Sequence, residues 1–569
     1  MPGCKFTTQV RLTLHLLSLK KFVMNKQIYR LAPAIAIGTI ALSSAVAYLY
    51  LKFIPAREAA NPLASAQVIP EQAIGAGFIT TDPEVRAKVD RVINQQAQTQ
   101  IMNGFQGTQV FQQYLADRGI DYQKDLQPWI GSVTFAPLPS DPSTGSAQPN
   151  LLLVIGIKDK LAALDFAHKH WNKPDLNLKN QKYKGVDLVE IKDDQGQGFF
   201  YVGVLNNHLV ISQSKRTIEQ SIDAAQSSQS LATKLRKSKV LARTANVGTP
   251  IAQFFTPDAP YTLKQLSQSN PEMPSPPENL LQMKNWVLSV GVDDIGLQLK
   301  LASEVDPEQF KWEFKPIPGK VVTQFPKDTF LLTTGYNAPR QFFTFVEQLK
   351  ATPEVEQTVA QIKAQFWQAT GLDLEKDVLG WMDGEFAFGL IPTPDSSLLS
   401  GIGGAFIVST SDRSRAETTV NRLNSWVAQN GVPIHQQQLG GTTVSEWQIP
   451  GRGTLLGHGW LNQNTFMIAA DGSVAEEIAT RQASNLSQDE IFRAVTKSLP
   501  QHNSGYTYIN VEKVRSLVTN SDQAANFHSF NPEVQAVLNS IRGLGMTTTR
   551  PEPTVVETDM VVALNPIGN

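Results

Sequence analysis

A chain of 569 residues is too long for a single hydrophobic core and implies about two to four domains. With 41% hydrophobic and 18% charged residues and a formal net charge of −1, it is neither a disordered polyelectrolyte nor a protein that gathers nucleic acid through a global positive field. The one cysteine, Cys4, precedes every segment that reads as folded, which excludes disulfides, thiolate nucleophiles and cysteine zinc sites from the folded part.

The first element in the chain is an uncharged run, LAPAIAIGTIALSSAVAYLYL, from Leu31 to Leu51. As a helix it spans about 30 Å, the thickness of a bilayer core. Tyr48 and Tyr50 stand at its far end, where aromatic rings favour the interface. Lys20, Lys21, Lys26 and Arg30 precede it, and only Lys52 and Arg57 follow closely. This bias places residues 1–30 in the cytoplasm and the bulk of the chain across the membrane. Ala45-Val46-Ala47 and Ala64-Ser65-Ala66 both resemble signal peptidase sites, so an uncleaved signal anchor and a cleaved signal peptide both stay open. Met24 is an alternative start, because MNKQIYR forms a normal positive region before the anchor.

Beyond a linker over 52–66, the sequence repeats itself. GIDYQKDLQPWIG, Gly119 to Gly131, recurs as GLDLEKDVLGWMDG, Gly371 to Gly384. Pro70 and Pro83 precede the first copy as Pro326 and Pro339 precede the second. Further matches follow in the same order and end with the stretches from Asn285 and from Arg542 to Leu564. Two α+β units result, 67–305 and 322–566, joined by a linker over 306–321.

Within each unit, helix and strand signals alternate. Asp82 caps a helix with Pro83 at its first position, and Val85, Val89, Val92 and Ile93 recur at helical spacing. Leu151 to Ile157 and Ala405 to Val408 read as buried strands, each leading into a helix that ends near Trp171 or Trp426. Asn206-Asn207 and Asn462 to Asn464 each join two strand-like runs as hairpins, and Asp193-Asp194 with Gly196 and Gly198, like Asp293-Asp294, read as turns. Lys234, Arg236, Lys237, Lys239 and Arg243 read as the solvated face of a helix whose other side holds Leu235, Val240 and Leu241. Pro139 to Pro149, Pro271 to Pro277 and Pro392 to Ser400 read as surface loops. The pattern implies a mostly antiparallel sheet with helices on one face, and paired tryptophans as core anchors.

The sequence points to no catalytic, cofactor-binding or metal-ligating residue. Eight histidines are present: His15, His168, His170, His208, His435, His458, His502 and His528. None has a histidine counterpart in the other copy, and His168 and His170 lie on different faces of a helix. There is no HExxH, GxSxG, SxxK or P-loop. Gly451, Gly453 and Gly457 miss the dinucleotide spacing by one and read as turn and close-packing glycines. The repeated polar signature is Asp121 and Asp125 with Asp373 and Asp377, at i and i+4 on a short helix. That spacing suits a cation or an acid–base pair, but Lys124 and Lys376 lie beside the carboxylates and an Asp there caps a helix that must dock Trp129 or Trp381, so capping and surface charge are the preferred reading.

The run LEKDVLGW, Leu374 to Trp381, with Gly384 and Glu385 and the following GIGGAFIVSTSDRSRAETTVNRLNSW, resembles a cyanobacterial family described as domain of unknown function thirty-three fifty-two. The resemblance covers nearly everything after the anchor and implies no activity or catalytic residue. It implies that the exported side is periplasm or thylakoid lumen. The expected function is non-catalytic: a membrane-tethered binding or assembly protein with a protein partner at the membrane surface, and no nucleic acid, metal or cofactor. An apolar-ligand carrier, and an envelope hydrolase using Asp373, Asp377 or Glu385, are the alternatives.

Overall fold

The computed structural model describes residues 61–92, 119–140, 149–171, 178–192, 199–244, 247–269, 281–310, 314–339, 353–393, 401–480, 484–519, 535 and 538–565. The expected membrane segment 31–51 lies outside these residues, as do most of the three proline-containing loops and the turn at Asp193 to Gly198. Among the described residues no helix is long and apolar enough to cross a membrane.

Strands in the first half are β1 (Ala76–Thr80), β2 (Ile130–Leu138), β3 (Asn150–Ile157), β4 (Leu178–Tyr183), β5 (Val186–Lys192), β6 (Phe199–Leu205), β7 (His208–Ser212), β8 (Thr249–Thr256), β9 (Met283–Val292) and β10 (Gly296–Val305). The second half contains β11 (Leu331–Tyr336), β12 (Glu385–Pro392), β13 (Ile402–Ser409), β14 (Ile434–Leu439), β15 (Thr442–Ile449), β16 (Gly453–Trp460), β17 (Thr465–Ala470), β18 (Tyr506–Asn510), β19 (Ile541–Glu552) and β20 (Val555–Leu564). All belong to one 20-stranded sheet. Register fixes its order from the first edge as β4-β5-β6-β7-β3-β2-β1-β8-β9-β10. β10 pairs with β20, and the order continues β20-β19-β18-β11-β12-β13-β17-β16-β15-β14. Every pairing is antiparallel, so the class is α+β.

Local chemistry explains the hairpins. Asn206 takes a positive φ of 55°, letting β6 turn directly into β7. Asp293 closes the β9–β10 turn, its Oδ1 accepting from the backbone N–H of Ile295 and Gly296. The helix Pro83–Val92 begins as expected, with Glu84 N–H donating to Asp82 Oδ1 at 2.9 Å. Its valines are only half-buried, and Ile93 lies outside the described residues.

Helices cover both faces of the sheet, not one. Along β3, Leu153, Ile155 and Ile157 pack in a cluster with Trp129 and Phe166. The alternate residues Leu152 and Val154 pack instead with Ile218, Ile222 and Leu235. β13 divides the same way, with Phe406 and Val408 toward Trp381 and Ala405 and Ile407 toward Val474 and Ile478. The continuous apolar runs that mark these strands are the signature of strands buried on both sides. We call the side of Trp129 and Trp381 the tryptophan face, and the other the inner face. Trp129 and Trp381 are core residues as expected, at 0% and 2% exposure, whereas Trp426 is only half-buried.

Candidate functional site at the seam of the sheet

The repeated carboxylates fold into helix caps. Asp121 Oδ1 accepts the N–H of Gln123 and Lys124, and Asp125 Oδ2 reaches back to the N–H of Asp121 at 2.8 Å. Asp373 and Asp377 repeat this, Asp373 accepting from Glu375 and Lys376 and Asp377 accepting from Asp373 N–H at 2.8 Å. The reciprocal bonds commit one oxygen of each carboxylate to closing its own turn, the geometry of a cap. The N–H of Lys376, aided by that of Glu375, holds the Asp373 carboxyl below its ordinary value. Glu385 does not join them. It lies on the inner face with Ala387, while Phe386 packs beside Trp381. Burial pushes its carboxyl up, opposed by the backbone N–H groups of Val321, Lys320 and Gly319.

The histidines are dispersed. Both ring nitrogens of His208 are buried without a hydrogen-bond partner among the described residues, and burial lowers its pKa to about 4. His458, likewise lowered to about 4 by burial, meets Asn424 Oδ1 at 2.9 Å and packs against Trp447 and Phe466. Among the described residues no group of three or more His, Cys, Asp or Glu could hold a metal ion. Gly451 and Gly453 adopt φ of 74° and 92°, and a Cβ on Gly457 would stand 2.7 Å from that of Ala475, so these glycines serve turns and close packing.

What the structure does assemble is the seam where β10 meets β20, and there the two faces carry inverted polarity. On the inner face a polar row crosses the strands in register: Gln253, Ser289, Lys300, Asp559 and Thr547. Gln253 Nε2 donates to Ser289 Oγ at 3.0 Å, and Thr547 Oγ1 donates to Gly505 O at 2.5 Å. Lys300 Nζ stands 3.0 Å from Glu557 Oε2 and 3.7 Å from Asp559 Oδ1. These side chains are nearly sequestered, at 12%, 9% and 17% exposure. Burial pushes Asp559 up from the usual carboxylate range; Lys300 opposes the shift and Glu557 adds to it.

The basic cluster read as a solvated face contributes to this seam. Leu235 and Val240 are buried as expected, and Leu241 is half-buried. Arg243, however, pairs with Glu552 and lies 3.7 Å from Glu557, and Lys239 reaches Glu552 at 3.1 Å. Both cations belong to the first half and both carboxylates to the second.

On the tryptophan face the central rows of the same strands are uncharged, mostly apolar with threonines among them, and partly open. One register row runs Val290, Leu299, Met560, Met546, Thr507, Thr333, Phe388. Beside it run Phe254, Leu288, Leu301 and, on the other flank, Leu297, Val562, Leu544, Ile509, Leu331, Leu390. No charged residue stands in these rows. Phe254 is 37% exposed and Phe388 41%, and most of the residues between them are half-buried.

A family model, described as "Protein of unknown function (DUF3352)", matches residues 33–564. The chain belongs to this family. The match covers both halves of the sheet and the seam between them, as the resemblance on Leu374 to Trp381 implied. Comparison with curated proteins finds no match. Solved structures similar to parts of the chain include crystal form III of TP0453, at 9% identity over 42% of this chain and 79% of that one, with a TM-score of 0.23. Crystal form I of TP0453 is 12% identical over 43% of this chain and 82% of that one, also at 0.23. At such scores the likeness carries no argument.

Proposed function

We propose that this protein is a non-catalytic, membrane-tethered binding protein that receives an apolar segment of a membrane partner on the open tryptophan face of its seam. The observation that carries the reading is the uncharged set of register rows between Phe254 and Phe388, partly exposed although the opposite side of the same strands is closed. A face that stays open suits a macromolecular partner better than a small ligand, which is ordinarily enclosed on most sides. The expected anchor over 31–51 and the short linker after it would hold this surface near the bilayer, on the periplasmic or lumenal side. The caps at Asp121 and Asp373, satisfied by their own backbone, support reading the repeated carboxylates as structural.

In this reading 67–305 and 322–566 are two copies of one unit. The shared element order supports it, as do the equivalent bridges Pro70 to Ser230 and Pro326 to Asn485. The test is a photo-crosslinking residue at Leu299 or Met560 in native membranes. A reproducible membrane-protein adduct, lost on Leu288→Glu, is expected. An adduct only with lipid would transfer the reading to a carrier, and no adduct from either position would end it.

A further inference from the structure

The strand order has a property that the binding surface does not require. Starting from β10, the order runs outward through β9, β8, β1, β2 and β3 to β7, β6, β5 and β4. Starting from β20, it runs through β19, β18, β11, β12 and β13 to β17, β16, β15 and β14. Because β10 and β20 are antiparallel, an approximate two-fold axis normal to the sheet relates the halves. It passes through the middle of their register, which runs from Gly296–Ala563 to Glu304–Val555 and has Lys300–Asp559 at its centre. A side chain on such an axis would meet its own copy if two identical halves paired.

We infer that the seam is a dimer interface enclosed within one chain, and that the Lys300–Asp559 pair on its axis selects unlike halves. Two first halves would set Lys300 against Lys300 on the inner face and leave each Arg243 without Glu552 and Glu557. Two second halves would gather two Asp559 and two Glu557 with neither Lys300 nor Arg243. Only first with second places opposite charges on the axis and pairs Arg243 and Lys239 with Glu552. Like charges directly opposite on neighbouring strands destabilise the pairing, and specificity by repulsion of wrong partners is an established device of interfaces. β10 and β20 are each ten residues long, and unpaired they would be edges open to any other strand. The charge arrangement steers each edge to the other. This inference goes beyond the binding reading and stands without it.

The test keeps the full chain and cuts it only after folding. A site-specific protease sequence inserted between Glu308 and Gln309, in the exposed turn after β10, severs the linker in the purified protein. Native mass spectrometry of the cut wild type should show one first half bound to one second half and no pairs of like halves. Asp559→Lys should reduce that complex at least tenfold at equal concentration, and adding Lys300→Asp to the same chain should restore most of it. If Asp559→Lys prevents folding of the uncut chain, recovery of the folded protein by Lys300→Asp gives the same answer. Pairs of like halves in the cut wild type, or a double reversal no better than the single one, would overturn the inference.

Discussion

Replacing Lys300 by Met tests whether the inner face of the seam is as dry as its geometry indicates. The ammonium lies 3.0 Å from Glu557 and 3.7 Å from Asp559, with all three side chains at 17% exposure or less. Removing one partner from a buried ion pair leaves an uncompensated charge and costs about 3–5 kcal/mol. Here two carboxylates are left behind, although Arg243 remains 3.7 Å from Glu557. We therefore expect a loss of about 3 kcal/mol, the low end of that range, in urea unfolding followed by tryptophan fluorescence at pH 7. The pH dependence has a definite sign. Asp559 has its folded pKa raised, so it holds its proton more tightly folded than unfolded. Its contribution to stability grows as pH falls from that raised value toward the unfolded value of about 3.9. Without Lys300 the folded value rises further, and the deficit of Lys300→Met relative to the parent shrinks on acidification. A loss under about 1 kcal/mol, or a deficit that does not change with pH, would mean that water screens the cluster and that the argument from burial fails.

Other variants address the remaining features. His208 is buried and neutral with its pKa lowered to about 4, so its contribution is complete above pH 6.5 and is lost as pH falls toward 4. His208→Leu should flatten up to about 3 kcal/mol of that acid-induced loss and leave stability at pH 7 equal or higher, as read from urea midpoints across pH 4–7. Asp121→Ala and Asp373→Ala should each cost about 1 kcal/mol by removal of a cap, with no effect on partner binding, measured by unfolding and crosslinking on the same samples. Trp129→Ala should cost about 3–5 kcal/mol by opening a cavity beside Phe166, visible as a lowered thermal midpoint. Leu299→Gln, on a half-buried site, should change stability by less than about 1.5 kcal/mol while weakening capture of the partner, which separates surface from core in one experiment.

The periodic segments were legible in the sequence because each encodes its own geometry. Leu151 to Ile157 reads as a strand, Asn206-Asn207 as a turn and Asp82-Pro83 as a helix start, and the structure places all three there. The reading of Asp121 and Asp373 as caps was available from the adjacent Lys124 and Lys376 and the helix start before Trp129 and Trp381, whereas the closing of each turn by Asp125 or Asp377 appears only in the structure. Which faces the helices would cover was not available. β3 is apolar at nearly every position, and such a run reports burial without reporting what lies on either side. Arg243 illustrates a second limit: its local pattern is that of a solvated helix face, and its partner Glu552 is more than 300 positions away. The seam itself left a trace that points the wrong way. In β10, Leu297, Leu299 and Leu301 alternate with Gln298, Lys300 and Ala302, which by the usual rule puts the leucines in the core and the lysine in water.

That inversion follows from the sheet's topology. A strand at the outer edge of either half would obey the ordinary rule, its polar side chains meeting solvent. Joining the halves through β10 and β20 places these strands at the middle of the sheet, where helices from both halves, including Val240–Thr244 and Glu490–Lys497, pack near the inner face. Polar residues there can remain only if they are paired, as Lys300 is across the junction with Glu557 and Asp559 and as Gln253 is with Ser289 within the first half. The apolar partners of the alternation are then turned outward, giving the open rows of Leu299, Leu301 and Met560. The paired charges and the half-buried leucines on the opposite face are thus two consequences of one strand register. A change that shifted β10 by one residue against β20 would turn Lys300 to the tryptophan face and Leu299 to the inner face, abolishing the ion pairs and the uncharged rows together.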